Sequence, residues 1–335
     1  MRRKLGARSF ALALLAGLLA AAAAGCAAAA KSGPGGTAGA AGGKDEKVKQ
    51  VRIGYQKYGT VNFLKAQGKL DQKLQEAGYA VTWTEFPGGP QLLEALNVGS
   101  IDFGHTGEAP PIFAQAAGAP LVYLAYEQAR PASEAIVVPE ASPIQSVKDL
   151  KDKKVALNKG SNVHYLLVKL LEQAGLSYSD VRTVFLPPAD ARVAFERGGV
   201  DAWVIWDPYF AAVQTSAKAR VLADGKDVVS NHEFYLASRP FAERNKEITA
   251  VLLEELNKVG AWVKANPQEV AQLLSPQLGI DIPSLELAMG RRDYGLLPIN
   301  GQVIAEQQRV ADTFLQIGLI PKAIKVSEAL LDSQQ

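Results

Sequence analysis

Apolar and polar residues follow two different periods along the chain. Short runs in which they alternate predict strands, and longer stretches with apolar residues three and four positions apart predict helices. Strands are predicted at 51–55, 81–86, 101–104, 121–125, 135–138, 154–157, 183–186 and 203–205. Helices are predicted between several of them, at 62–77, 91–98 and 163–174. Strands that alternate with helices predict an α/β fold with a largely parallel sheet.

The pattern becomes mainly helical after Tyr235. Helices are predicted at 246–266, 267–274, 282–292 and 301–317. Prolines stand at their starts or breaks, where a residue without a backbone N–H is tolerated. We expect this helical block to pack back on the first part of the chain.

Two passages, 96–103 and 195–202, share one pattern. In each, a helix end is followed by a glycine and then by an apolar–Asp–apolar strand start. Common α/β sequence patterns also produce such a pair by coincidence. Together with the helix–strand alternation, the pair favours two similar lobes over one long sheet.

Residues 1–25 differ from the rest of the chain. Arg2, Arg3, Lys4 and Arg8 precede the apolar run 10–24, which is the arrangement of an export signal. A membrane anchor helix is the alternative, but the run is short for a bilayer span of roughly 20 residues. Of the 36 basic residues, 32 therefore lie beyond the predicted signal against 34 acidic ones, a net charge of −2 with His neutral.

Cys26 is the one cysteine of the sequence, and it follows the small residues 23–25 at the end of the apolar run. This arrangement resembles the lipobox of bacterial lipoproteins, although Ala23 stands where Leu is usual. Ordinary cleavage nearby is the alternative. The lipobox predicts a lipidated Cys26, and the Ala/Gly-rich composition of 26–47 predicts a flexible tether to the membrane.

Composition and motifs argue against several other classes of protein. Basic and acidic residues are balanced, without the basic patch of a nucleic-acid-binding protein. His105, His164 and His232 lack metal-ligand spacing, so we expect no metal. Neither a nucleophile elbow, a phosphate-binding loop nor a dinucleotide fingerprint is present, so we expect no cofactor and no catalytic residues.

Polar, glycine-containing turns follow several predicted strands, at 56–60, 105–111 and 158–162. Ligands of α/β sheets bind at the carboxyl ends of strands, and the N–H groups of helix N-termini suit anions. The turn 158–162 is the sharpest candidate, because Gly160 permits close approach and Ser161 or Asn162 can cap the next helix. An ordinary helix cap without a ligand is the alternative.

Six segments together resemble the aliphatic sulfonate-binding proteins of ABC importers. They are 52–59, 85–93, 107–111, 155–164, 186–191 and 200–208, and the likeness extends over about 51–320. The resemblance implies a type II periplasmic-binding-protein fold, in which two α/β lobes are joined by two crossover strands and hold ligand in the cleft between them. Lobe 1 would combine 48–131 and 235–330, and lobe 2 would be 132–234.

The resemblance also implies a ligand site. The sulfonate head would lie between Gln56, the segment 107–109 and the segment 161–162, with Trp206 and Asp207 near the cleft. Lys57 is expected nearby, and uncharged N–H donors are expected to suffice for a monoanion. The full expected set of ligand-binding residues is Gln56, Gly107, Glu108, Ala109, Ser161, Asn162, His164, Trp206 and Asp207.

The implied function is delivery of aliphatic sulfonates to the permease of an ABC importer, for sulfur acquisition. The protein is expected to be an exported monomer, anchored by lipid at the outer face of the cytoplasmic membrane or in the periplasm. Alternatives are binding of taurine, nitrate or another small organic anion, a sensory ligand-binding module, and an enzyme on the same fold. Desulfinases of this fold use a cysteine nucleophile and the pyrimidine synthases carry a cysteine-rich motif, whereas this sequence has Cys26 alone.

Overall fold

A computed structural model describes residues 49–216 and 219–334. The predicted signal (1–25), the lipidation site Cys26 and the predicted tether (26–47) lie outside the described residues. They stay predictions.

Six strands form the first sheet, which has the order β11-β4-β10-β3-β1-β2. Their bounds are β1 Lys49–Gln56, β2 Tyr79–Phe86, β3 Phe103–Gly107, β4 Leu121–Glu127, β10 Glu233–Ser238 and β11 Leu296–Pro298. β1 and β2 pair in parallel from Lys49↔Tyr79 to Gln56↔Phe86. All five residues of β3 and all seven of β4 are buried, as expected for central strands covered on both faces.

Five strands form the second sheet, which has the order β7-β6-β8-β5-β9. Their bounds are β5 Glu134–Pro139, β6 Lys154–Leu157, β7 Arg182–Phe185, β8 Ala202–Trp206 and β9 Ala219–Asp224. The chain passes from the first sheet to the second between β4 and β5, and it returns between β9 and β10. The predicted lobe boundaries stay a prediction.

Helices cover both faces of the two sheets. Their bounds are α1 Thr60–Gln67, α2 Lys69–Glu76, α3 Gly89–Asn97, α4 Pro110–Ala116, α5 Asn162–Gln173, α6 Pro188–Glu196, α7 Tyr209–Ser216, α8 Arg239–Arg244, α9 Lys246–Ala265, α10 Pro267–Leu278, α11 Ile282–Met289 and α12 Gly301–Gln316. One hydrophobic cluster joins α3, α4 and α12 to α5 and contains residues of both sheets, such as Phe234 and Val204. Within the described ranges, none of the helices has both the length and the apolar character that a membrane-spanning segment needs.

The prediction of a largely parallel sheet was wrong in part: β1 pairs in parallel with β2 and β3, and β6 with β7 and β8, but each sheet also contains antiparallel strands. β10 runs antiparallel to β3 and to β4, and β5 runs antiparallel to β8 and to β9. These are the strands by which the chain enters each sheet from the other, so they arrive in the reverse direction. Short apolar runs predict a strand without its direction, because direction depends on the long-range connection.

The prediction of one helix over 62–77 was also wrong. Two helices, α1 and α2, meet at Gly68, which has a left-handed conformation with φ 68°. The N–H of Gly68 bonds back to the carbonyl of Lys65, so the glycine ends α1. Apolar spacing continues across the break, because α1 and α2 bury neighbouring faces against the same core.

The repeated passages 96–103 and 195–202 form equivalent joints in the two sheets. Gly99 and Gly198 both have positive φ, 72° and 70°. The carboxylate of Asp102 accepts from the N–H of Arg52 at 2.9 Å in the first sheet. The carboxylate of Asp201 accepts from the N–H of Lys154 at 2.7 Å in the second. In each joint the aspartate therefore binds the neighbouring parallel strand, which explains the shared pattern.

Candidate functional site

A cavity lies between the two sheets and contains about 650 Å³ of empty space, part of it open to solvent. The first sheet and its connections contribute Gln56 from the end of β1 and Thr106 and Gly107 from β3. The second sheet contributes Asn162 from the start of α5 and Trp206 from the end of β8. The carboxyl ends of β1, β3 and β8 therefore meet at one place, as sheets of this class arrange their ligand sites.

The two sides approach closely at Gly107 and Asn162. A Cβ built on Gly107 would lie 2.9 Å from Cγ of Asn162, a distance that real Cβ atoms do not reach. A glycine is needed here because the backbone of β3 touches a side chain of the opposite side.

The structure brings some of the predicted site residues together. Gln56, Gly107, Asn162, Trp206 and Asp207 all line the cavity. Lys57, expected nearby, lines it as well. The remaining predicted residues are buried beside the cavity and do not line it; they are Glu108, Ala109, Ser161 and His164. None of these placements shows a contact with ligand, so the site remains a prediction.

Ser161 and His164 make internal hydrogen bonds. The hydroxyl of Ser161 donates to the carbonyl of Asn158 at 2.7 Å. Nδ1 of His164 accepts from the N–H of Gly160 at 3.1 Å, so Nε2 carries the proton that faces the hydroxyl of Tyr178 at 2.7 Å. Burial lowers the pKa of His164 to about 4. The imidazole is therefore neutral, and its contacts hold the turn before α5 in place.

Asn162 also uses its donors internally. Its Nδ2 donates to the carboxyl of Glu134 and, at 3.2 Å, to Oδ1 of Asn231. Nδ2 of Asn231 in turn donates to the carbonyl of Arg130 and to the hydroxyl of Ser133, both at 3.2 Å. Both segments that connect the sheets are thus tied to the start of α5.

His105 lies in β3 between the cavity and the interior. Its Nε2 accepts from the N–H of Gln56 at 3.3 Å, so Nδ1 carries the proton and donates to Oε1 of Glu233 at 2.5 Å. Burial and the Arg292 guanidinium lower the pKa of His105 to about 3. A neutral His105 therefore orients Gln56 at the edge of the cavity.

Arg292 and Arg130 line the cavity, and each is paired with a buried carboxylate. Arg292 binds Glu127, which also accepts from the Thr60 hydroxyl at 2.6 Å and from Tyr235. Burial opposes the charge of Glu127, but the two guanidiniums outweigh it and hold the pKa of Glu127 below its usual value.

Arg130 binds Glu233, which His105 also contacts. Burial and the nearby charge of Arg292 lower the pKa of Arg130 to about 10, so it stays protonated at neutral pH. The positive charges of Arg130 and Arg292 are therefore largely balanced by their own partners.

Sequence reasoning did not identify these arginines. Arg292 follows a helix end and Arg130 lies between two strands, both ordinary positions for surface cations. Their carboxylate partners are distant in sequence, 165 positions away for Arg292 and 103 for Arg130. A single sequence carries no signal for such pairs.

Asp207 is paired as well. Nη1 of Arg291 contacts its two carboxylate oxygens at 3.1 and 3.3 Å, and the N–H of Ala211 donates to it at 3.0 Å. Burial nevertheless raises the pKa of Asp207 to about 6. Asp207 can lie at a cavity for an anion because Arg291 offsets its negative charge.

Glu108 and Glu134 differ from these paired carboxylates. Each is almost fully buried, and in each Oε1 has no hydrogen-bond partner among residues 49–216 and 219–334. Burial raises the pKa of Glu108 to about 7 and that of Glu134 well above its usual value. Burial therefore favours the protonated form of both side chains, and Glu108 holds its proton in part at neutral pH.

Metal binding finds no support in the part of the chain that the structure describes. There, no three or more His, Cys, Asp or Glu side chains are grouped so that they could hold a metal ion.

Comparison with known proteins identifies the family of this chain. The model of the NMT1/THI5-like family matches residues 74–270, which is more than half of the chain. The chain belongs to the NMT1/THI5-like family. The chain is also 43% identical to the periplasmic aliphatic sulphonate binding protein SsuA from Escherichia coli, with a TM-score of 0.75 over 84% of this chain and 97% of that one.

Two further relatives help to place the chain. The alkanesulfonate-binding protein SsuA from Xanthomonas axonopodis pv. citri, bound to MOPS, is 39% identical, with a TM-score of 0.80 over 84% of this chain and 98% of that one. The taurine-binding periplasmic protein of Escherichia coli K12 is 26% identical over 225 residues, 63% of this chain and 69% of that protein. The predicted family and the predicted fold class are confirmed.

Proposed function

We propose that this protein binds an aliphatic sulfonate outside the cytoplasmic membrane and delivers it to the permease of an ABC importer, supplying sulfur. The observation that carries the proposal is the 43% identity, over 84% of this chain, to a periplasmic aliphatic sulphonate binding protein. A cavity between two sheets, lined from both, agrees with a binding protein of this kind.

The charges around the cavity fit a monoanion. Arg130 and Arg292 are already paired with Glu233 and Glu127, so Lys57 is the cavity-lining cation that has no carboxylate partner among the described residues, and it matches one negative charge rather than two. A sulfonate carries one negative charge and three acceptor oxygens, and it needs hydrogen-bond donors more than it needs a cation. Trp206 and Tyr209 add aromatic surface for an apolar tail.

Ligand would hold the two sides of the cavity together. We infer that 48–131 with 235–330 and 132–234 act as two lobes that close on the ligand, since each carries one of the sheets. A ligand favours the closed arrangement only by as much as it binds that arrangement more tightly. The importer would recognise the closed form, with the protein acting as a monomer.

Binding without chemical change is the better-supported mode. The closely similar proteins are described as binding proteins, and the neutral His105 and His164 are held by structural hydrogen bonds. We therefore propose that the bound compound leaves unaltered. Recovery of an intact alkanesulfonate after prolonged incubation, checked by NMR, tests this; a turned-over product would refute it.

Ligand-induced stabilisation tests the proposal directly. An alkanesulfonate at 100 times its Kd is expected to raise the free energy of unfolding by about 2.7 kcal/mol. Thermal unfolding with alkanesulfonates, taurine, nitrate and sulfate compares the candidate ligands. Greater stabilisation by taurine or nitrate would overturn the ligand and leave the family, whereas no stabilisation by any of them would overturn the function.

We also propose that Cys26 is lipidated and anchors the protein at the membrane. The support is the export-signal pattern of 1–25 and the small residues before Cys26. Cys26→Ala is expected to move the protein from the membrane fraction to the soluble fraction. Continued membrane association of that variant would contradict the anchor.

A further inference from the structure

The first turn of α3 faces the cavity with free N–H groups. α3 has nine residues, and Gly89 at its start lines the cavity. The first N–H groups of a helix have no partner within it, so those of Gly89 and Gln91 are free of intrahelical bonds; Pro90 has none to offer. Among the described residues, no side chain makes a capping hydrogen bond to this turn.

The hydroxyl of Thr106 lies directly against this turn. A Cβ built on Gly89 would collide with Oγ1 of Thr106 and would lie 2.9 Å from its Cβ. Thr106 is 1% exposed, and its Oγ1 has no hydrogen-bond partner in the described part of the chain. Leaving a buried polar group without a partner costs about 1–3 kcal/mol. A ligand oxygen that accepts a hydrogen bond from this hydroxyl would remove that cost.

Asn158 approaches the same turn from the second sheet. A Cβ built on Gly88 would lie 2.5 Å from Nδ2 of Asn158. Asn158 is 6% exposed, and its Nδ2 likewise lacks a partner within residues 49–216 and 219–334. Gln91 holds the carboxamide by donating from Nε2 to Oδ1 of Asn158 at 3.5 Å.

The orientation of these two amides does not change the conclusion. Oε1 of Gln91 lies 3.3 Å from the Cβ position of Gly88 and, in the described chain, is also unpartnered. If both carboxamides were turned over, the NH₂ group of Gln91 would stand there in place of that oxygen. An amide donor therefore faces Gly88 in either case.

The start of α5, favoured by sequence reasoning, offers fewer free side-chain donors. The hydroxyl of Ser161 is used by the carbonyl of Asn158, and both hydrogens of the Asn162 amide are used by Glu134 and Asn231. Among the described residues, two uncharged side-chain donors without a partner lie at α3, on Thr106 and Asn158, and Nε of Arg292 is a further, charged donor without one.

We propose that the first turn of α3, Thr106 and Asn158 form the subsite for the sulfonate head, an inference that rests on the proposed function. Its donors are backbone N–H groups, a hydroxyl and a carboxamide, none of them charged. They match a monovalent oxyanion with several acceptor oxygens and no hydrogen to donate. The positive end of the helix dipole adds to the attraction.

The subsite also explains how a ligand would join the two sheets. Gly89 and Thr106 belong to the side of the first sheet, whereas Asn158 follows β6 of the second. The ring of Trp206, also from the second sheet, has Cη2 3.7 Å from the Cβ position of Gly88 and borders the site. An oxyanion bound at α3 would therefore accept hydrogen bonds from both sides at once.

Isothermal titration of the full chain with an alkanesulfonate tests the subsite. Thr106→Val keeps the shape of the side chain and removes the donor, and a 10- to 100-fold loss of affinity is expected, as for a hydrogen bond to a charged group. Thr106→Ser restores the hydroxyl and should recover affinity to within a few-fold of the original. Thr84→Val, on the exposed part of β2, is the matched control and should bind unchanged.

Asn158→Asp is a second and independent variant. It keeps the size of the side chain but places a carboxylate against the sulfonate, so a loss of more than 100-fold is expected at neutral pH. Sulfonate binding that persists within two-fold in both Thr106→Val and Asn158→Asp would overturn the subsite and leave the proposed function intact. If the unaltered protein binds no sulfonate, the proposed function and the subsite are both overturned.

Discussion

Four glutamates are buried around the segments that connect the two sheets, and they form two contrasting pairs. Glu127 and Glu233 are bound by Arg292 and Arg130. Glu108 and Glu134 are equally buried, yet each keeps one oxygen without a partner in the described chain. Burial acts against the charge of Glu127, Glu108 and Glu134 alike, but the pKa of Glu127 falls while those of Glu108 and Glu134 rise.

The difference shows what decides the charge of a buried carboxyl here. Burial penalises the ionised form; two guanidiniums and two hydroxyl donors outweigh it at Glu127, whereas the single Arg291 does not outweigh it at Asp207. Arg292 and Arg130 are placed against one pair, while Glu134 has an amide of Asn162 as its partner. Glu127 therefore favours its charged form beside the cavity, whereas Glu108 and Glu134 favour the protonated form.

Removing Arg292 is expected to have the largest effect on this contrast. Arg292→Met leaves Glu127 buried without its cation, and the free energy of unfolding should fall by about 3–5 kcal/mol in urea titrations at neutral pH. Arg182→Met, at an exposed position of β7, is the control and should stay within about 0.5 kcal/mol of the original. A loss below about 1 kcal/mol for Arg292→Met would mean that the ion pair is not what keeps Glu127 charged.

The pH dependence of stability sharpens the comparison next. Glu108 is protonated up to about pH 7 in the folded protein and only up to about pH 4.5 when unfolded. Between these two pH values the folded protein binds a proton on Glu108 that the unfolded chain does not. The contribution of Glu108 to the free energy of unfolding is therefore full below about pH 4.5 and is lost as the pH rises to about 7. Relative to Glu108→Gln, the original protein should lose stability on the order of 3 kcal/mol over that range.

For Glu127→Gln, we expect the stability difference from the original protein to change with pH in the opposite direction. The folded pKa of Glu127 is depressed, so its contribution is present above the unfolded value of 4.5 and is lost as the pH falls through the folded value. Chemical denaturation across pH measures both difference curves. Slopes of the same sign for Glu108→Gln and Glu127→Gln would remove the distinction between the two pairs.

A surface pair gives the smallest expected effect. Glu254 and Lys258 approach to 2.5 Å, but both side chains are more than half exposed. Water screens such a pair, so Glu254→Gln should not move the unfolding midpoint beyond the error of the measurement. A clear shift would show that pairing stabilises this fold even without burial.

The sequence predicted the elements of the fold better than their connections. β6 was predicted at its observed bounds, 154–157, because a short apolar run follows a cluster of lysines. β9, β10 and β11 were not among the predicted strands; β9 is only half-buried and β11 has three residues. The antiparallel direction of β5 was not predicted, because it depends on the chain passing between sheets.

The sequence predicted which turns reach the site, but not which donor and acceptor atoms in those turns are free. The turn 158–162 and the segment after β1 do reach the cavity, as glycine and cap residues after strands indicate. Which atoms remain free within a turn depends on distant partners, such as Glu134 and Asn231 for Asn162. Those partners, and the pairing of Arg292 with Glu127, arise only when the chain folds.

The position of Trp206 has a practical consequence. Its indole borders the cavity, whereas Trp203 is fully buried within β8. Indole emission responds to the polarity and order of its immediate surroundings, so an occupant at the start of α3 would change the fluorescence of this side chain. Ligand binding can therefore be followed by the intrinsic fluorescence of Trp206. Trp206→Phe would abolish this ligand-dependent change, while the other tryptophans continue to emit.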